Sequence, residues 1–151
     1  QGVASKLKEE GYKIGGFEAY VTSDVLNGAG MSSSAAFEVL IGNILSGLYN
    51  DMKINPVFLA QAGQYAENVY FGKPCGLMDQ MASSIGGLIN IDFEDPQSPK
   101  IKKVEVDFEE YGHSLCIVDT KGSHADLTDD YAAIPYEMKK VANYLIKMIF
   151  T

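Results

Sequence analysis

Arginine is absent from this 151-residue sequence: all 12 basic residues are lysines, set against 20 acidic residues, for a formal net charge of −8. A surface that binds a polyanion needs a basic patch, and none is visible, so nucleic acid is not an expected partner. Cysteine is nearly absent as well. Two residues, Cys75 and Cys116, cannot build the disulfide framework of a small secreted domain; they read as reduced, mostly buried thiols of a cytoplasmic protein. No apolar run approaches the ~20 residues of a membrane span, and no charged segment leads into an apolar stretch at the start, so neither a membrane partner nor a secretory signal is expected. The two histidines, His113 and His124, lack the spacing of a metal site. Gln1 stands where a methionine would be usual, and a cut or processed start is the corresponding expectation.

What is present is enough apolar material for a core, 46% of the residues, with no internal repeat or low-complexity segment. Residues 3–10 read as the end of a helix stopped by Gly11. Residues 13–25, rich in β-formers and aromatics, read as a strand or hairpin. A helix is predicted from Ala35 to Tyr49 with Ala36, Val39, Leu40, Ile44 and Leu48 on its apolar face. Asn55-Pro56 is an N-cap with proline at the first helical position, and that helix is predicted to run to Phe71, burying Leu59, Ala62, Ala66, Val69 and Tyr70. A short helix over 77–84, strands over 88–93, 101–108 and 114–119, and a helix whose clear part is 136–150 complete the reading. The charged, glycine-containing stretch 109–113 is the best candidate for a domain boundary.

Three places carry chemistry. Gly28-Ala29-Gly30-Met31-Ser32-Ser33-Ser34 joins a predicted strand to a predicted helix. Glycines let the backbone turn sharply beside a ligand, the helix start offers unpaired N–H groups, and the serines add hydroxyls. By itself such a loop is either a phosphate cradle or an ordinary glycine turn with serine caps, and no Gly-Lys-Ser/Thr makes it a Walker loop. Glu67, on an otherwise apolar helix, is either on the solvated face or held inward by a partner, and in isolation the solvated reading is favoured. Asp79, at the start of the short helix, reads in isolation as a helix-terminus aspartate favoured by the dipole.

In combination these segments resemble one family. Residues 25–36, Val-Leu-Asn-Gly-Ala-Gly-Met-Ser-Ser-Ser-Ala-Ala, are similar to the second signature of the GHMP kinases, departing at Asn27 and Met31 without loss of the glycine geometry. Ala66-Glu67-Asn68 and Gly72-Lys73-Pro74-Cys75-Gly76-Leu77-Met78-Asp79-Gln80 resemble the galactokinase branch, as does Phe37-Glu38. The resemblance runs from about Gly15 to Ala142.

It implies that residues 28–34 bind ATP through its phosphates, that Ser34 and Glu67 hold Mg2+, and that Asp79 faces the C1 hydroxyl of galactose or a related hexose as base or orienting group. It further implies that Cys75, Gly76 and Tyr131 line the sugar pocket. Around Tyr131 the match is poorer: residues 123–128 precede it and Lys139-Lys140 follow it, where typical members carry arginines. That leaves the sugar open, together with any ligand contact by His124 or Asp126. The implied fold is α/β in the broad sense, an α+β two-layer arrangement. Residues 1–112 would be part of the N-terminal ATP-binding domain, which resembles ribosomal protein S5 domain 2, and 113–151 the start of a ferredoxin-like C-terminal domain.

The family's catalytic arginine, its Gly-Glu-His-Thr-Asp sugar motif and its glycine-rich third signature are not found in the sequence. The chain is therefore expected to be an inactive fragment of a cytoplasmic galactokinase, with open sheet edges that favour a homodimer. A kinase for another hexose such as N-acetylgalactosamine, and a non-catalytic sugar and nucleotide sensor, are the alternative readings.

Overall fold

Helical periodicity and one hairpin account for most of the chain in the computed structural model, which describes residues 1–24, 30–118 and 128–149. In chain order the elements are α1 (Gly2–Glu9), α2 (Ser33–Tyr49), α3 (Pro56–Tyr65), a π-helical turn (Ala66–Tyr70), α4 (Met78–Ile85), β1 (Leu88–Asp92), β2 (Lys100–Val104), a short 3-10 turn (Glu109–Tyr111) and α5 (Thr128–Ile149). β1 and β2 pair antiparallel with Leu88 opposite Val104 and Asp92 opposite Lys100. Helices and a small sheet together make this an α+β fold. Among the described residues no helix is long and apolar enough to cross a membrane.

α3 is the central element. Asn55 caps it, its side chain accepting a 2.8 Å hydrogen bond from the Val57 N–H, and Pro56 opens it. One side of α3 meets α1 and α2 through Val3, Leu7, Leu45, Ile54, Leu59, Ala62 and Ala66. The other side meets α4 and the hairpin through Ala60, Leu77 and Met81, with Val57, Ile91 and Ile101 packed against them. Burial of this kind supplies about 1.5–3 kcal/mol per large apolar side chain, which is what holds helices this short in place.

Several sequence expectations need correction. The buried face of α2 is Ala35, Glu38, Val39, Gly42, Leu45 and Ser46, whereas the predicted Leu40 and Leu48 are exposed. The helix is rotated because Gly42 lets it approach closely: a Cβ there would stand 3.0 Å from Leu59 Cδ2. Val69 and Tyr70, expected in the core, are 59% and 50% exposed. The π turn that begins at Ala66 inserts an extra residue and turns the following side chains out of the α3 face.

Described residues of the two predicted strands at 13–25 and 114–119 form no ladder. The first segment is instead tied to the end of α2: Lys13 N–H donates to Asn50 Oδ1 at 3.0 Å, Asn50 Nδ2 donates to Lys13 O at 2.8 Å, and the Tyr49 hydroxyl donates to Gly16 O. In the second, Leu115, Ile117 and Val118 are all at least 75% exposed, and no partner strand covers them among the described residues. Cys116, in that segment, is exposed and Cys75 only half-buried, which corrects the expectation of two buried thiols. Val25 and Asp119 lie outside the described residues.

Candidate functional site

The serine loop enters the described structure at Gly30, whose φ of +72° is the left-handed conformation that glycine tolerates. Met31 and Ser34 are exposed, Ser32 and Ser33 partly buried. Gly28 and Ala29 lie outside the described residues. Ser32 precedes α2 with φ +53° and ψ +42°, and its side chain makes no capping bond among the described residues. A non-glycine residue held left-handed costs on the order of 1 kcal/mol. Here it turns the chain into α2, which starts at Ser33.

Glu67 lies in the π turn and is 4% exposed. The solvated reading of this carboxylate is overturned, and the reason is the turn itself, which rolls Glu67 inward while sending Val69 and Tyr70 out. Lys73 Nζ approaches Glu67 Oε2 to 4.0 Å, the outer limit of an ion pair, from a side chain that is half exposed. The turn is followed by the Cys75 segment, and side-chain amides position it. Asn68 Oδ1 accepts from Cys75 N–H at 2.8 Å, Asn68 Nδ2 donates to Cys75 O at 3.5 Å, and Gln64 Nε2 donates to the same carbonyl at 3.2 Å. Gly76 is exposed. Asp79 stands exposed in the first turn of α4, where a negative charge is favoured by the helix dipole.

Two residues to which the sequence reading gave no site role lie at the junction. Glu38 is 6% exposed and Gln80 2% exposed; Gln80 Nε2 donates to Glu38 Oε2 at 3.3 Å and to Cys75 Sγ at 3.8 Å. Burial pushes the Glu38 carboxyl up to about 7; the Gln80 hydrogen bond and Lys73 oppose this, and the neighbouring Glu67 adds to it. Burial likewise pushes the Cys75 thiol up, with Gln80 opposing and the Glu67 and Glu38 charges adding. Glu38 falls four residues after Ser34, on the same side of α2, and Gln80 is the residue after Asp79. A carboxylate within an apolar helical stretch was the available signal for Glu38. Nothing in the sequence told which side of α4 Gln80 would take.

Glu38 and Glu67 therefore bring two carboxyls together under cover, with one lysine at the limit of pairing. Buried acids so arranged need a proton or a cation. No group of three or more His, Cys, Asp or Glu side chains able to hold a metal is formed among the described residues. A cation with few protein ligands and other oxygens from a bound phosphate fits this donor set. Tyr131 belongs to α5 by its backbone, its side chain lying outside the described residues along with all of His124 and Asp126.

Comparison with known proteins bears on the same residues. Residues 1–87 match the model of the GHMP kinases N terminal domain. A galactokinase of Pyrococcus furiosus is 46% identical over 98 residues, covering 65% of this chain and 28% of the relative. A galactokinase of Clostridium tetani is 40% identical over 86 residues, 57% of this chain and 22% of the relative. One from Streptomyces coelicolor is 35% identical over 130 residues, 86% of this chain and 33% of the relative. The chain thus spans a third or less of the length of these curated relatives.

Proposed function

The chain belongs to the GHMP kinases, and from that premise we propose that it is the nucleotide- and acceptor-facing portion of a galactokinase, which transfers the γ-phosphoryl group of ATP to the C1 hydroxyl of galactose. The observation that carries this reading is the buried Glu67 carboxylate in the turn leading into the Cys75–Asp79 segment. An ordinary solvated helix face has no use for a buried acid there.

In this proposal the main-chain N–H groups and hydroxyls of residues 28–34, at the start of α2, receive the phosphates of ATP. Ser34 and Glu67 would hold Mg2+, which when bound offsets phosphate charge. Cys75, Gly76, Asp79 and Tyr131 contact the sugar. The C1 oxygen attacks the γ-phosphorus in line, the bond from that phosphorus to the ADP oxygen breaks, and ADP leaves. Asp79, exposed and at a helix N-terminus, accepts the hydroxyl proton or orients the hydroxyl that loses it.

We also infer that residues 1–112 belong to the N-terminal domain and 113–151 to the next, that the protein acts in the cytoplasm, and that the open edges of the β1–β2 hairpin favour self-association. The sequence contains no arginine, so this chain alone brings no guanidinium to the transferring phosphoryl group and is proposed to be inactive by itself.

The test is Asp79→Asn in the full-length protein that carries this chain. Turnover of galactose is expected to fall by at least about 10²-fold, with ATP binding retained. Unchanged turnover would remove Asp79 from the chemistry, and phosphorylation of N-acetylgalactosamine but not galactose would reassign the acceptor. Bound sugar and nucleotide with no product from the wild type would identify a sensor.

A further inference from the structure

We propose that Glu38 and Gln80 are positioning residues of the candidate site: the Gln80 amide, held on Glu38 of α2 and against Cys75, fixes the Cys75 turn and the first turn of α4, and so Asp79, relative to the helix that the serine loop opens. This rests on the reading of Asp79 as the residue facing the acceptor.

Three observations support it independently of any titration. The first is closeness. Gly63 of α3 lies where three helices meet, and a Cβ there would stand 3.1 Å from Gln80 Cγ and 3.3 Å from both Glu38 Cβ and Glu38 Oε2. The absence of a side chain at position 63 lets the pair form.

The second is chemical. Both partners are almost wholly buried, and Gln80 Oε1 has no hydrogen-bond partner among the described residues. An apolar pair would fill the space without that desolvation cost. What an apolar pair lacks is direction: Leu77 and Met81 hold α4 on Ala60 by contacts that tolerate sliding, whereas the Gln80 hydrogen bond requires one placement.

The third is placement. Gln80 adjoins Asp79 in sequence, and Glu38 is one turn from Ser34 on α2. The link therefore joins the helix behind the serine loop to the helix that begins at Asp79. Cys75, which Gln80 also touches, is anchored from the other side by Asn68 and Gln64.

The test uses the full-length protein with Gln80→Glu, Gln80→Met and the exchanged pair Glu38→Gln/Gln80→Glu. Gln80→Glu sets a second carboxyl against Glu38; Gln80→Met keeps the length and removes the donor without adding charge, which guards against a variant that does not fold. The exchanged pair restores one amide facing one carboxyl. Two quantities are read: amide hydrogen exchange over residues 75–81, and kcat and KM for sugar phosphorylation.

Both single variants are expected to exchange at least about tenfold faster there and to lose at least about tenfold in kcat, with the KM for ATP within about twofold of wild type. The exchanged pair is expected to return both quantities to within about threefold of wild type. Unchanged exchange in the single variants, or folded exchanged protein that recovers neither quantity, overturns the proposal. So does faster exchange with undiminished kcat. A wild-type protein that phosphorylates no sugar removes the kinase reading instead. The pair's hold on residues 75–81 is then judged by hydrogen exchange, upheld if protection is lost and regained with the exchange of partners, and overturned if not.

Discussion

Glu38 combines burial, a neighbouring carboxyl and an amide donor, and the balance favours the protonated acid up to about pH 7. Its unfolded reference is 4.5, so between these values the folded protein holds a proton that the unfolded chain has released. Stability from this group therefore declines as pH rises through that window, and the decline is complete above the folded value. In chelator, with Glu67, Lys73 and Gln80 unchanged, the wild-type melting temperature is expected to fall more steeply between about pH 5 and 8 than that of Glu38→Gln. Equal slopes would show that the group does not titrate in that range. Glu67 teaches a related lesson. Its residue type and helical setting were legible in the sequence, but its burial was not, since one inserted residue in the π turn decides which way it faces.

At the scale of elements, the start of α3 was the most legible feature because local chemistry sets it, whereas α5 begins at Thr128, ahead of the stretch 136–150 that the sequence picked out. Asn55-Pro56 begins α3 as its cap chemistry requires, and Gly86, with φ +71°, ends α4. Which face each helix buries was less legible, because small residues such as Gly42 and Ser46 permit close approach yet carry no apolar signal. Gly63 is the sharpest case: a valine there would press on Gln80 and Glu38. Gly63→Val is expected to destabilise the fold by about 1–3 kcal/mol, measured as a shift of the urea midpoint without a change in its slope. A midpoint unchanged from wild type would mean that the three helices are not in close contact there. The described residues of the strands expected at 13–25 and 114–119 form no ladder, for a different reason. β-forming composition says that a segment suits a sheet, but a ladder also needs a neighbour to accept its hydrogen bonds.

The molecule as a whole divides unevenly in how it is held. α1 to α4 and the hairpin share buried contacts along both sides of α3, whereas in α5 Ile134, Tyr136, Met138, Val141, Tyr144, Leu145 and Ile146 are all more than half exposed. Among the described residues, neither buried cluster includes a side chain of that helix. Truncation after Gly112 is accordingly expected to shift the melting temperature by no more than about 4 °C, the equivalent of about 1 kcal/mol for a domain of this size. A loss of cooperative unfolding would show instead that the C-terminal segment is integral to the first, and would move the proposed boundary at residues 112 and 113.

The sequence by itself determined the family, because the glycine–serine run and the Cys75–Asp79 segment are local patterns whose order survives in the chain whatever its packing. It also determined where α3 begins, since the Asn55–Pro56 cap depends on near neighbours. Only the tertiary structure decided that Glu67 is buried, that Glu38 faces it, and that Gln80 joins α2 to the Cys75 turn. The Glu38–Gln80 contact links residues 42 positions apart, and burial depends on how closely helices approach, which glycines permit without leaving a mark on hydrophobic periodicity.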